Sequence, residues 1–97
     1  MATRTSYTVT IDENGKESEL VATPIWADTI AAEKYLRDNK LGKLDENPLT
    51  MMSVMTYSAL KRSGDIPAGT LYETYESLIV GIDVNEAEEA PKSVATN

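Results

Sequence analysis

The residues that most constrain the fold lie near the start of the chain, where apolar and hydroxyl side chains alternate. Tyr7, Val9 and Ile11 fall on one face of an extended segment, and threonine and serine side chains fall on the other. This period of two is typical of a β-strand that buries one face. Asn14-Gly15 follows, and both residues readily adopt the positive φ of a two-residue turn. The pattern predicts a β-hairpin over residues 5–22.

A first helix is predicted over about residues 24–39. Thr23 is a suitable N-cap and Pro24 suits the first helical position, although Asp28 or Thr29 could begin the regular helix slightly later. The single tryptophan, Trp26, is interpreted as a core residue that seals the helix against the hairpin. The apolar residues of this helix recur at helical spacing and form one stripe. They are Ala27, Ile30, Ala31, Tyr35 and Leu36.

A second helix is predicted over residues 48–63, because Pro48 follows an asparagine that can act as a cap. Lys61 and Arg62 interact favourably with the C-terminal end of the helix dipole, and Gly64 can adopt the left-handed conformation that ends a helix. Apolar residues occupy nearly all sides of this helix, which is more than one small core can bury. One side is therefore expected to meet a partner or another copy of the chain.

A third helix is predicted over residues 70–82. Thr70 and Glu73 have the spacing of a capping box, in which each side chain accepts a hydrogen bond from the other residue's backbone N–H. The helix is expected to pack on the second, because its apolar residues recur at the spacing of one helical face. They are Leu71, Tyr75, Leu78, Ile79 and Ile82.

Together these segments predict an α+β fold, in which an N-terminal β-hairpin is followed by a small three-helix domain. Residues 1–84 form a single globular domain in this prediction. From residue 85 the sequence is rich in glutamate and poor in large apolar side chains. Residues 85–97 are therefore predicted to be a disordered acidic tail.

Charge and composition exclude several classes of function. Sixteen acidic and nine basic residues give a net charge of −7, which disfavours binding to nucleic acid and to anionic membranes. The 97 residues include no cysteine and no histidine. No catalytic, cofactor-binding or metal-binding pattern is present in the sequence. We therefore expect a soluble binding protein without cofactor or metal, and not an enzyme.

The predicted partner-binding residues are centred on the second helix. Its three methionines have flexible, polarizable side chains that adapt to apolar surfaces of different shape. Methionine also fills irregular cores, and that alternative stays open. Neighbouring aromatic and apolar residues of the second and third helices complete the set. The predicted partner-binding residues are Met51, Met52, Met55, Tyr57, Leu71, Tyr72 and Tyr75.

Three short stretches in the second half of the chain resemble a known family. They are Ala59-Leu60-Lys61-Arg62-x-Gly64, Thr70-Leu71-Tyr72-Glu73 and Ile82-Asp83-Val84. With the acidic end of the chain, they resemble the tail-assembly chaperones of long-tailed, siphovirus-type bacteriophages over about residues 48–83. That family carries Trp or Phe where this chain has Met55 and Tyr57.

The resemblance implies a protein that binds the long tape-measure protein and keeps it soluble until tail tube subunits polymerise around it. It also implies contact with the tail tube subunits, action in the host cytoplasm and absence from the mature virion. A longer form made by translational frameshifting is a further common property of the family. Another copy of the chain remains an additional expected partner.

A second hypothesis is a small acidic inhibitor that binds a basic, nucleic-acid-handling host protein by presenting carboxylates in place of phosphates. Basic residues are interspersed among the acidic ones, so no long face of a single sign is expected before the tail. These basic residues are Lys34, Arg37, Lys40, Lys43, Lys61 and Arg62. Salt dependence distinguishes the two hypotheses, because ionic strength weakens charge-driven binding more than apolar binding.

Overall fold

The computed structural model of the chain describes residues 5–85. It contains an antiparallel three-stranded sheet and three α-helices, which confirms the mixed α+β class. The strands are β1 (Ser6–Glu13), β2 (Lys16–Ala22) and β3 (Ile79–Asn85). The helices are α1 (Trp26–Asp38), α2 (Pro48–Ser63) and α3 (Tyr72–Leu78), and a short 3-10 helix (Leu44–Glu46) precedes α2.

β1 and β2 form the predicted hairpin. They pair antiparallel from Tyr7 opposite Ala22 down to the turn. Asn14 and Gly15 have φ angles of 56° and 85°, the left-handed values that a type I′ turn requires. The Asp12 carboxylate accepts a hydrogen bond from the backbone N–H of Gly15 at 2.8 Å. The alternation and the turn residues therefore agree with the observed register.

The predicted third helix is wrong in its second half. α3 ends at Leu78, and the residues after it form β3, antiparallel to β1 in the sheet order β2-β1-β3. β-branched residues dominate this segment and Gly81 lowers its helix propensity, so its apolar residues also suit a strand. Pairing with β1 favours the strand conformation. A two-stranded hairpin alone is only marginally stable, so adding β3 as a third strand stabilises the sheet.

The predicted tail starts too early, because residue 85 is the last residue of β3. Asn85 is part of the sheet, where it pairs with Ser6 and donates from its side-chain amide to Ser6 Oγ at 3.0 Å. Thr8 Oγ1 donates to Asn85 Oδ1 at 3.1 Å. The prediction of disorder for the rest of the tail falls on residues 86–97, which lie outside the described residues.

The predicted capping box of the third helix is also wrong. α3 begins at Tyr72 with Leu71 at the N-cap, and the Leu71 side chain makes no capping hydrogen bond. Thr70 therefore lies outside the helix, and its spacing to Glu73 has no capping role. The backbone carbonyl of Thr70 instead accepts a hydrogen bond from the Tyr57 hydroxyl. A tertiary contact with α2 thus holds the start of α3.

α2 has the predicted bounds. Pro48 is its first residue and Ser63 its last, and Gly64 follows with a φ of 86°. The backbone N–H of Asp65 donates to the Leu60 carbonyl at 3.0 Å, which satisfies one of the last carbonyls of the helix. Glycine adopts positive φ without steric cost, so the sequence signal for this helix end is confirmed.

The core lies between the helices and one face of the sheet, which we call the inner face. Thr56 of α2 is fully buried, and its Oγ1 lies 2.7 Å from the Tyr75 hydroxyl of α3. The predicted packing of the third helix on the second is therefore confirmed. The buried apolar residues are Val9, Ile11, Ala22, Ala32, Leu36, Val54, Ala59, Leu60, Ile66, Tyr72 and Tyr75.

Candidate interaction surface

A buried charged cluster holds the start of α1 against α2. The Asp28 side chain is 1% exposed and accepts hydrogen bonds from the Ile25 backbone N–H at 2.8 Å and the Ser58 hydroxyl at 2.6 Å. Arg62 Nη1 donates to both carboxylate oxygens of Asp28 at 2.6 Å. The carboxylate is thus fully hydrogen-bonded, as a buried charge must be to be tolerated.

The pKa of Asp28 reflects the balance of these contacts. Burial alone would raise the pKa, because a low-dielectric environment disfavours the charged form. Hydrogen bonds from Arg62, Ser58 and the Ile25 backbone, together with the charge of Arg62, outweigh burial and lower the pKa below its usual value. The side chain is therefore a carboxylate at neutral pH.

Asp28 is expected to make the stability of the fold depend on pH. Because its pKa is lowered by folding, its stabilising contribution is complete above the unfolded pKa of about 4 and is lost as the pH falls through the folded pKa. The difference in free energy of unfolding between the wild type and Asp28→Asn should therefore shrink from neutral pH to about pH 3. Urea unfolding at several pH values measures this difference.

Asp38→Asn is the control for this experiment. Asp38 is an exposed carboxylate that pairs with Lys34 at 2.7 Å, and water and salt screen such a pair. The control should stay close to the wild type at every pH. A difference between wild type and Asp28→Asn that is the same at all pH values would contradict the role assigned to the buried carboxylate.

The burial of Asp28 directs Trp26 away from the core. Residues two positions apart on an α-helix point about 200° apart, so a helix that turns Asp28 inward turns Trp26 outward. Trp26 is 76% exposed, and its prediction as a core residue is wrong. The predicted helix start at Thr23-Pro24 is wrong as well, because Asp28 binds the backbone of Ile25 and places the N-cap there.

The buried face of α1 is rotated relative to the predicted stripe. Its buried residues are Asp28, Ala32 and Leu36, whereas Ala27 and Ile30 are exposed. An aspartate is normally placed in water when a helical face is assigned from sequence. Its pairing with the α2 guanidinium allows it to lie inside instead.

Trp26 forms one wall of a surface groove of about 430 Å³, the Trp26 groove. The groove lies between the start of β1, the start of α1 and the middle of α2. Its lining combines aromatic, aliphatic and thioether side chains with two threonines. The lining residues are Thr5, Tyr7, Pro24, Ile25, Trp26, Thr29 and Met55.

The apolar surface continues beyond the Trp26 groove on two sides. Ile30 lies one turn after Trp26 on the same side of α1 and is 44% exposed. Val84 of β3 pairs with Tyr7 and therefore shares the inner face with it, and Val84 is 56% exposed. The helices thus leave the inner face uncovered near the end of β3.

A second groove, of about 410 Å³, separates α1 from α2. Its charged groups are largely engaged within the chain. Lys34 donates to Asp38 at 2.7 Å, and this hydrogen bond lowers the pKa of Asp38. Lys61 Nζ lies 4.8 Å from the centre of the Tyr57 ring, within the range of a cation–π contact. The lining residues are Ala31, Lys34, Tyr35, Asp38, Val54, Tyr57, Ser58 and Lys61.

Four tyrosines form a cluster where the three helices meet. The ring centre of Tyr72 lies 5.0 Å from that of Tyr35 and 5.4 Å from that of Tyr57, and the centres of Tyr57 and Tyr75 are 5.5 Å apart. Burial, aided by the Glu76 carboxylate, raises the pKa of Tyr72 to about 12, and burial also raises the pKa of Tyr75. These distances are typical of stabilising aromatic pairs.

Comparison with known proteins leaves the surface itself as the guide to function. No family model, curated protein or solved structure matches this chain. Within residues 5–85, no helix is long and apolar enough to cross a membrane. The same residues contain no group of three or more His, Cys, Asp or Glu side chains that could hold a metal ion.

The structure separates the predicted partner-binding residues into core and surface groups. Tyr72 and Tyr75 are buried by the chain's own residues, which does not fit a role in contacting a partner. Leu71 is 65% exposed. Met55 lines the Trp26 groove and Tyr57 the groove between α1 and α2. The half-buried members of the set are Met51, Met52, Met55 and Tyr57.

Sequence reasoning missed Trp26, Ile25 and Tyr7 as surface residues of one groove. A local signal for them existed, because Asp28 stands three residues after Ile25, the spacing at which an acidic side chain binds an N-cap backbone. Placing the N-cap at Ile25 puts Trp26 at the first helical position, where it points away from Asp28.

The face of the sheet opposite the helices, the outer face, is acidic. Cross-strand partners share a face, and the pairing places alternate residues of all three strands there. The paired residues on this outer face include no lysine or arginine. Within residues 5–85, this acidic face differs from the expectation that no long face of a single sign precedes the tail. Strand alternation causes this, because it sends Lys16 to the other face. The carboxylates of the outer face are Asp12, Glu17, Glu19 and Asp83.

Proposed function

We propose that this chain is a tail-assembly chaperone of long-tailed bacteriophages, which binds the tape-measure protein and keeps it soluble until the tail tube polymerises. In this proposal it acts in the host cytoplasm, is absent from the mature virion and is not an enzyme. Tail tube subunits and another copy of the chain are the further proposed partners.

The exposed Trp26 groove is the observation that carries the proposal. A chaperone for a long apolar client needs an adaptable apolar surface on a highly soluble body, with an affinity low enough for later displacement. Trp26 offers a large aromatic surface at 76% exposure, and tryptophan is enriched among residues that dominate binding energy. Met55 contributes a flexible side chain to the same groove. The net charge of −7 favours solubility.

Trp26→Ser is expected to abolish most of the chaperone effect without unfolding the chain. Truncating a central aromatic contact weakens binding by about 2 kcal/mol or more, about thirtyfold. The measurement is the soluble fraction of the tape-measure protein encoded in the same genome, co-expressed with the wild type or the variant. Far-UV circular dichroism should show an unchanged fold, because Trp26 buries little of its surface.

Leu49→Ser is the matched control, because Leu49 is 73% exposed but does not line the Trp26 groove. It should keep the tape-measure protein as soluble as the wild type does. A tape-measure protein that stays insoluble with the wild-type chain, or that is solubilised equally well by Trp26→Ser, would contradict the proposal.

A second candidate function is inhibition of a basic, nucleic-acid-handling host protein. The acidic outer face supports it, because carboxylates spaced along a sheet can replace phosphates in a basic binding site. Capture from a host lysate at low and at high salt tests this candidate. Charge-driven capture of a basic protein should be lost at high salt, whereas capture of the tape-measure protein through apolar contacts should persist.

A further inference from the structure

The two edges of the sheet differ in charge. In the order β2-β1-β3, β1 is paired on both sides, so within residues 5–85 β2 and β3 each have one unpaired row of backbone N–H and C=O groups. β2 carries Lys16, Glu17 and Glu19, and charges of this kind discourage another strand from pairing with an edge. The sequence of β3 contains a single charged residue, Asp83.

The free side of β3 is open within the described part of the chain. Its ladder partner is β1. Apart from the N–H of Ile79, which donates to the Glu76 carbonyl of α3, no backbone hydrogen bond from the turns, loops and caps of residues 5–85 reaches it. Val80 and Val84 are 58% and 56% exposed. An unpaired strand with exposed apolar side chains and little charge is suited to pairing with a strand from another protein.

We propose that β3 binds an extended segment of a partner protein, which joins the sheet as a fourth strand and alternates apolar and basic residues. Successive side chains of a strand point to opposite faces. The apolar side chains of the added strand lie on the inner face, beside Ile82 and Val84 and next to Tyr7 of the Trp26 groove. Its basic side chains lie on the outer face, beside Asp83.

Charge argues against a second copy of this chain as the added strand. Two β3 strands paired with each other would join two acidic outer faces into one sheet, between chains that each carry a net charge of −7. Like charges on neighbouring strands are destabilising. A basic segment is attracted by the same carboxylates. The proposed strand addition depends on the edge and charge of β3 and not on the proposed chaperone function. It can therefore be tested with the purified chain alone.

The probe is a blocked synthetic peptide of about the length of β3 in which valine and lysine alternate. Titrated into the full chain, it should bind saturably and protect backbone amides of β3 from hydrogen exchange, while amides of β2 remain unprotected. A peptide that alternates valine and glutamate should not bind. The valine–lysine peptide with an N-methylated backbone should also fail, because it cannot form the ladder.

Two charge reversals locate the binding edge. Asp83→Lys should weaken binding of the valine–lysine peptide about fivefold, by replacing an attractive cross-strand pair with a repulsive one, and should allow the valine–glutamate peptide to bind. Glu19→Lys changes the net charge equally on the same face, but at the β2 edge, and should change affinity less than about twofold. Both variants should unfold at the wild-type temperature.

Three results would overturn the proposal. Equal weakening by both variants would mean that diffuse charge attracts the peptide. Protection of β2 amides would place the added strand at the other edge. A dimer whose β3 amides are protected without peptide would identify a second copy as the occupant.

Discussion

Tyr75→Ala is expected to lower the free energy of unfolding by about 4 kcal/mol, the cost of truncating a large aromatic core residue. Tyr75 is 1% exposed, and its hydroxyl lies 2.7 Å from Thr56 Oγ1. The substitution removes an aromatic contact with Tyr57 and leaves a cavity where α3 meets α2. Urea unfolding followed by circular dichroism measures the loss. In a chain of this size, such a change removes a large part of the total stability.

Tyr75→Phe is the matched control, because it keeps the ring and removes the hydroxyl. It should lower the free energy of unfolding by about 1 kcal/mol, since Thr56 Oγ1 still donates to the Ser53 carbonyl at 3.0 Å. The pair of variants separates a core role from the predicted partner-binding role. A stable Tyr75→Ala variant that fails only in binding would restore the contact role.

Arg62→Ala is expected to lower the free energy of unfolding by about 2 kcal/mol, because it leaves the Asp28 carboxylate buried without its cation. The effect should be smaller than for a fully buried pair, because the Arg62 side chain is 42% exposed and water can partly replace it. Chemical unfolding at neutral pH is the measurement.

Arg37→Ala provides the comparison, since Arg37 is an exposed arginine in the last turn of α1. It should change the free energy of unfolding by less than about 0.5 kcal/mol. Adding Asp28→Asn to Arg62→Ala should recover part of the lost stability, because the unpaired charge is then gone. If the two substitutions are simply additive, the two side chains do not act as a pair.

The elements that were correctly predicted from the sequence depend on local signals. Asn14-Gly15 specifies the turn of the hairpin, and Pro48 and Gly64 mark the ends of α2. Each of these residues acts through its own backbone preference. No distant partner is needed for them to have their effect.

The errors arise where a distant contact decides. Residues of β3 fit a helix until β1, which lies far earlier in the chain, offers an edge for pairing. Hydrophobicity places Asp28 in water, but Arg62, 34 positions later, pairs with its carboxylate inside the fold. The rotation of α1 that exposes Trp26 combines a local contact of Asp28 with the Ile25 backbone and a distant contact of Asp28 with Arg62. Hydrophobicity alone assigned Trp26 to the core.

The position of β1 between β2 and β3 sets the order in which the strands of the sheet can pair during synthesis of the chain. β2, the hairpin partner of β1, leaves the ribosome directly after β1. β3, the second partner, is the last segment of the described residues. The Thr8–Asn85 hydrogen bond between β1 and β3 spans 77 positions. Contacts of long sequence separation slow folding, because a large loop must close before they form. Until residue 85 emerges, the edge of β1 that later pairs with β3 is open to other strands.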